Sequence, residues 1–203
     1  MEDTSGRPGT SPVRLDLHVH TRASRDSVLE LSEAVRRARG RGLDGLAITD
    51  HNTLVGDGPL RVAAEAVPGF LLVPGVEIST RDGHLLAYGV SELPRSGRSY
   101  PETVDAVLRQ GGVPVVAHPF RWVHGAGRRG VRCRGIAALE TSNGRNARGA
   151  NLRAQRTREL LGLGGTGGSD AHTPGEVGQA FTLLWPRSPG TAGVLDALRR
   201  GEC

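Results

Sequence analysis

The chain has 203 residues, 37% apolar content and 3% aromatic residues, enough for one domain whose core must be built from small aliphatic side chains. Its net charge is +5, and all 26 basic residues are Arg, so a Schiff-base lysine, a phosphate-loop lysine and a carboxylated lysine bridging two metals are all excluded. No run of about 18 apolar residues occurs, which excludes an apolar membrane span. Cys133 and Cys203 lie outside any Cys-x-x-Cys, which argues for two free thiols rather than a disulfide scaffold or zinc finger.

Residues 1–12 are polar, rich in Gly, Ser and Pro, and lack the apolar core of a signal peptide. They are expected to be a disordered tail ahead of a domain over 13–203, in a cytoplasmic protein. From 13 to 20, Leu15, Leu17 and Val19 alternate with Asp16, His18 and His20, the period-two pattern of a strand. Residues two apart share a face, so His18 and His20 aim two imidazoles one way. That is half of a metal site or, taken alone, a coincidence in a half-buried strand.

The loop 21–27 carries Asp26, and Ser27 stands where it can cap a helix over 28–39. An almost continuous apolar strand over 43–49 stops at Asp50 and His51. A short helix over 59–67 leads to a strand over 70–79 carrying Glu77, and the turn 80–83 to an apolar strand over 84–90 that opens with His84. A helix over 100–110, with Pro101 in its first turn, precedes a strand over 113–117 that stops at His118. Residues 121–134 form a basic loop where Arg128, Arg129, Arg132 and Arg134 cluster, as a solvated loop, a substrate mouth or a nucleic-acid contact. A strand over 135–140, a helix over 147–161, a Gly-rich strand over 164–169 ending at Asp170 and His172, a strand over 179–185 and a helix over 191–200 complete the chain.

Strands alternating with helices predict a parallel α/β fold, an open sheet or a barrel. Titratable residues recur where strands stop, and in a barrel those ends share one rim, where barrel active sites sit. The barrel therefore explains the pattern better than an open sheet. Imidazoles mixed with carboxylates suit zinc, manganese or iron.

Asp16-Leu17-His18-Val19-His20-Thr21, then Ser24 and Asp26, Thr49-Asp50-His51, Pro74-Gly75-Val76-Glu77, Ala117-His118-Pro119 and Gly168-Ser169-Asp170-Ala171-His172 resemble, in order, the motifs of the PHP (polymerase and histidinol phosphatase) family. The resemblance implies a distorted (β/α)7 barrel with two or three divalent metal ions (Mn, Fe or Zn) at the C-terminal rim of the strands. It implies one metal held by His18, His20, Glu77 and Asp170, a second by Glu77, His84 and His118, and a third by Asp26, His51 and His172. Glu77, Asp170 and His172 are the residues to which it assigns catalysis, with a hydroxide bridging the metals as nucleophile.

Arg121, Asn143 and Arg145 are candidate substrate contacts, the arginines as forks for a phosphate. For the arginines a surface role stays open, as does helix capping for Asn143. Asp50 and His124 are candidate acids for the leaving group. The implied activity is hydrolysis of a small phosphomonoester, a nucleotide or phosphorylated metabolite. An exonuclease on short DNA or RNA, a hydrolase for a non-phosphate ester or amide, and a non-catalytic metal-binding module are the alternatives. No membrane partner is expected, and oligomeric state is left open.

Overall fold

A computed structural model describes residues 11–203, so the tail expected over 1–12 falls, up to residue 10, outside the described residues. The strands are β1 (Val13–Val19), β2 (Gly45–Ile48), β3 (Leu71–Thr80), β4 (Gly83–Tyr88), β5 (Val113–Val116), β6 (Ala138–Asn143), β7 (Gly164–Gly168) and β8 (Thr182–Leu184). The helices are α1 (Leu31–Gly40), α2 (Asp57–Glu65), α3 (Tyr100–Arg109), α4 (Gly127–Val131), α5 (Arg148–Leu161) and α6 (Gly190–Arg199). One sheet holds all eight strands in the order β7-β6-β5-β4-β3-β2-β1-β8.

The sheet curls into a distorted, nearly closed barrel. After β7, the Asp170 N–H donates to the His18 carbonyl (2.7 Å) and the His20 N–H to the Ala171 carbonyl (2.9 Å), which joins the β7 edge of the sheet to β1, the strand beside the β8 edge. Glycine makes this approach possible: a Cβ on Gly168 would stand 2.4 Å from that of His18, and one on Gly167 would stand 2.5 Å from the Phe181 carbonyl oxygen.

Two departures from the expected pattern shape the rim. The parallel arrangement expected throughout is broken at β4, which runs antiparallel to both β3 and β5, and at β8, antiparallel to β1. β3 and β4 are joined by a tight turn, too short for the crossover a parallel pair needs. The period-two reading of β1 holds for His18 and His20, whose Nε2 atoms come within 3.1 Å, but not for its apolar residues. Its pairing with β2 shifts between Asp16 and Val19, and a bulge moves later side chains to the other face. Leu15 and Leu17 consequently pack in one core cluster and Val19 in another.

The first of those clusters draws on β1 to β6, β8 and α6 and fills the barrel interior. There Val194, Ala197 and Leu198 of α6 close the end where β5 and β6 begin, against Val113 and Ala138. The two other clusters lie outside the strands, under α1 and α2 and under α3 and α4.

Among the described helices, only α3 starts on a side-chain cap. Ser99 and Glu102 form a capping box with Pro101 in the first turn of α3. Ser27 does not cap α1, whose N-cap is Glu30. Its hydroxyl stands 3.1 Å from the carbonyls of both His20 and His172, pinning the first loop to the rim. The basic loop contains the short helix α4, and Arg129 there pairs with Asp82 at 2.7 Å. No described helix is long and apolar enough to cross a membrane.

Candidate metal centre

The rim brings together every residue with ligand chemistry singled out in the sequence. His18 and Glu77 stand on β1 and β3, with His20, His51, His118, Asp170 and His172 on the segments that leave β1, β2, β5 and β7. His84 lies at the start of β4, and only the reversed direction of that strand brings it to this end, where it pairs across from Ser79.

The innermost group is His18, His20, Glu77 and Asp170, all buried. His18 Nε2 and His20 Nε2 are 3.1 Å apart. Glu77 Oε2 lies 3.2 Å from each of them. Asp170 Oδ1 lies 3.6 Å from the first and 3.3 Å from the second. A metal with bonds of about 2.1 Å in tetrahedral geometry separates its ligand atoms by about 3.4 Å, so every separation from the two imidazoles matches one coordination shell, and all four atoms lie within 4.8 Å of one another.

Glu77 also serves the next group: its Oε1 is 2.9 Å from both His84 Nδ1 and His118 Nε2. Asp26 Oδ2 lies 3.2 Å from His172 Nε2 and 3.5 Å from His51 Nε2, forming a third group that is far more open to solvent. Buried Glu77 Oε2 and His51 Nδ1 face each other at 3.2 Å without making a hydrogen bond. Unsatisfied buried polar atoms are costly, and a cation removes that cost. The residues present therefore fit divalent metal ions.

A surrounding set of hydrogen bonds fixes which ring nitrogen faces inward. Glu140 Oε1 accepts from His18 Nδ1 at 2.8 Å, leaving Nε2 as the lone-pair donor. Glu140 Oε2 accepts from the His118 backbone N–H and the Asn143 amide. Ser24 donates its hydroxyl hydrogen to Asp50 at 2.7 Å and accepts from His20 Nδ1 at 3.1 Å. Asp50, a candidate acid in the sequence, is buried and holds Thr21 and Ser24. His124, the other, stacks on His84 with ring centres 4.6 Å apart.

Glu140 is absent from the sequence-based candidates. Its signal was a lone acid closing the apolar run Ala137-Ala138-Leu139, the same kind of position Glu77 occupies.

The candidate substrate contacts are drawn into this frame. Arg121 Nη2 donates to Asp170 Oδ2 (2.6 Å) and Asn143 Oδ1 (2.7 Å), and Nε donates to Asn146. The amide of Asn143 is directed to Glu140 and Asp170, so its donors point inward. Arg145 Nη1 lies 2.8 Å from His172 Nδ1. That nitrogen is equally close to the Asp170 carbonyl, and donating there leaves Nε2 for Asp26 and its neighbours.

Burial opposes ionisation of Glu77, but His18, His118 and His20 outweigh it and hold the carboxyl well below the usual range. Burial works likewise against a charged His18, while Asp170, Glu140 and Glu77 raise it well above the ordinary value. His51 is pushed down to about 4, chiefly by burial, which keeps it a neutral donor. Asp16, beneath the cluster, is pushed up to about 6 by burial and bonds Ser169 and the backbone of Gly178.

Backbone strain gathers at the same rim. Among the described residues the non-glycine positions with positive φ are Asn52 (49°), His118 (25°), His124 (66°) and Asp170 (56°). Such conformations persist only where the surroundings enforce them. At His118 the turn follows Ala117, which packs in the barrel interior, and it keeps the imidazole on that same inner side.

The PHP domain family model matches residues 16–111, and a PHP-associated model matches 148–203. An uncharacterized protein of Methanocaldococcus jannaschii is 33% identical over 118 residues, 53% of this chain and 68% of that protein. A 5'-3' exoribonuclease of Haemophilus influenzae is 46% identical over 67 residues, 33% of this chain and 24% of that one. A probable phosphatase of Edwardsiella ictaluri is 28% identical over 129 residues, 52% of this chain and 53% of that one. The chain thus spans about half the phosphatase and a quarter of the exoribonuclease.

Among solved structures, a two-domain protein from Bacteroides vulgatus containing a predicted PHP-like metal-dependent phosphoesterase shares the fold. It has a TM-score of 0.78 and 21% identity, covering 97% of this chain and 65% of that one. With the motifs in order, the rim cluster and these matches, the chain belongs to the PHP domain family.

Proposed function

We propose that residues 13–203 act as one metal-dependent phosphoesterase domain that hydrolyses a small phosphomonoester. The observation that carries this is the set of four buried donor atoms within 4.8 Å of one another, the two imidazole nitrogens lying 3.1–3.6 Å from each other and from the carboxylate oxygens, with Glu77 shared by a neighbouring group. His18, His20, Glu77 and Asp170 hold one metal, Glu77, His84 and His118 a second, and Asp26, His51 and His172 a third. Manganese, iron and zinc suit this mixture of imidazole and carboxylate. Bound divalent ions supply hydroxide at neutral pH by lowering the pKa of water from 15.7 to about 7, and they offset charge on the phosphoryl oxygens.

The protein's own groups orient and shield. Glu140 and Ser24 fix the tautomers of His18 and His20. Arg121 holds the outer oxygen of Asp170, which keeps Oδ1 turned to the cluster. Arg145, at the exposed edge, is placed to take a phosphate oxygen. His172, beside Asp26, orients the open side of the site.

The test is metal content together with turnover of a chromogenic phosphoester in added manganese. Two or more metals per chain are expected, with turnover lost in His18→Ala and Asp170→Ala. Unchanged turnover in both variants, or a folded protein that binds no metal, overturns the proposal. A second reading, an exonuclease on short nucleic acid, is favoured by the likeness to the exoribonuclease and by the excess of Arg. It predicts oligonucleotide cleavage that falls steeply with added salt.

A further inference from the structure

An open cleft of about 460 Å³ adjoins the metal centre, formed by the segments after β5 and β6 and the first turns of α5. Its lining includes Phe120, Arg121, Trp122, Arg145, Asn146 and Arg153. The two ends differ in chemistry. At the inner end Arg121 and Arg145 contact Asp170 and His172, so two guanidiniums stand between the cleft and the proposed ligands. At the outer end the Trp122 side chain is 99% exposed, and the Arg153 guanidinium lies 4.2 Å over the Phe120 ring.

Aromatic residues make up 3% of this chain. Tyr88 and Tyr100 are spent on the core, yet Phe120 and Trp122 stand two positions apart in the lining of this cleft. A wholly exposed indole contributes nothing to packing, and its flat face is a surface for another ring. Phe120 capped by a guanidinium adds a second flat, polarised surface in the same cleft. Guanidiniums toward the metals and ring faces away from them match a ligand that is anionic at one end and a planar heterocycle at the other. The cleft volume lies in the range of small-ligand sites.

We propose that this cleft binds the base of a nucleotide whose phosphate lies at the metal centre, with Trp122 as the principal stacking partner. The proposal rests on the phosphoesterase reading above and narrows its substrate class from phosphomonoesters at large to nucleotides.

Adenosine monophosphate and ribose 5-phosphate differ only by the base, so the manganese-loaded enzyme is assayed with both. Base stacking is expected to raise kcat/KM for the nucleotide by roughly ten- to a hundredfold, mainly through KM. Trp122→Ala is expected to bring the ratio toward one, and Trp122→Phe, which keeps a ring, to restore most of it. As a reading free of turnover, adenosine without phosphate is titrated against the loaded protein, with saturable quenching of indole fluorescence expected in the wild type and lost in Trp122→Phe.

Equal kcat/KM for the two substrates without saturable quenching overturns the base site and leaves the phosphoesterase standing. Saturable quenching with neither substrate hydrolysed overturns the phosphomonoesterase reading and leaves the base site standing.

Discussion

At the end of the barrel where β5 and β6 begin, Val113, Ala138, Val194 and Leu198 are fully buried and packed on one another. At the other end His18, His20, Glu77 and Asp170 are as thoroughly buried, but they are imidazoles and carboxylates, and some polar atoms there lack hydrogen-bond partners. Burial alone therefore does not tell a core from a site. The apolar end gains free energy as water leaves. The polar end loses it unless a cation is bound, because desolvated charges and orphaned donors are costly. The rim also holds all four non-glycine residues with positive φ among those described. Stability resides at one end, and the other end spends some of it on chemistry.

Substitutions at the two ends should separate these roles. The largest expected effect is His20→Ala at the buried four-ligand group, with turnover falling about a thousandfold or more and bound metal decreasing, read by assay and elemental analysis. At the opposite end, Leu198→Ala should lower unfolding free energy by about 2–5 kcal/mol in denaturant melts. The folded fraction should keep its metal-to-protein ratio; a proportional loss of metal would mean that the two ends are coupled.

Glu140→Gln tests the step from ligand to support, since it weakens the acceptor for His18 Nδ1 without removing a ligand atom. Metal affinity should fall by about 10- to 100-fold with little change in thermal stability. The smallest effect is expected at the open edge. Asp26 is 55% exposed, so its charge is screened by water, and Asp26→Asn should lower turnover about tenfold or less while the two inner metals stay bound.

Much of this arrangement was legible before any tertiary contact was known. His18, His20, His51, His118, Asp170 and His172 could be placed because each follows or ends an apolar strand whose limits are marked by composition. Glu140 could not be separated from an ordinary strand-end acid, since its partner His18 lies 122 positions away. Asp50 was a plausible acid by position, but its partners Thr21 and Ser24 show it to be a clamp on the first loop. Ser27 had the right type and place for a helix cap, yet two carbonyls at the rim take its hydroxyl. In each case a short polar side chain has several local uses, and distant chain decides among them.

The sequence by itself determined the chemistry of the rim, because side-chain type fixes which atoms can donate to a metal and strand composition fixes where each strand stops. Only the tertiary structure decided how those atoms meet. The reversal of β4 carries His84 to the rim, the slip within β1 parts Val19 from Leu15 and Leu17, and the glycines of β7 allow Asp170 to close against His18. Strand direction, register and close backbone approach are settled between segments far apart in the chain, where local periodicity carries no information.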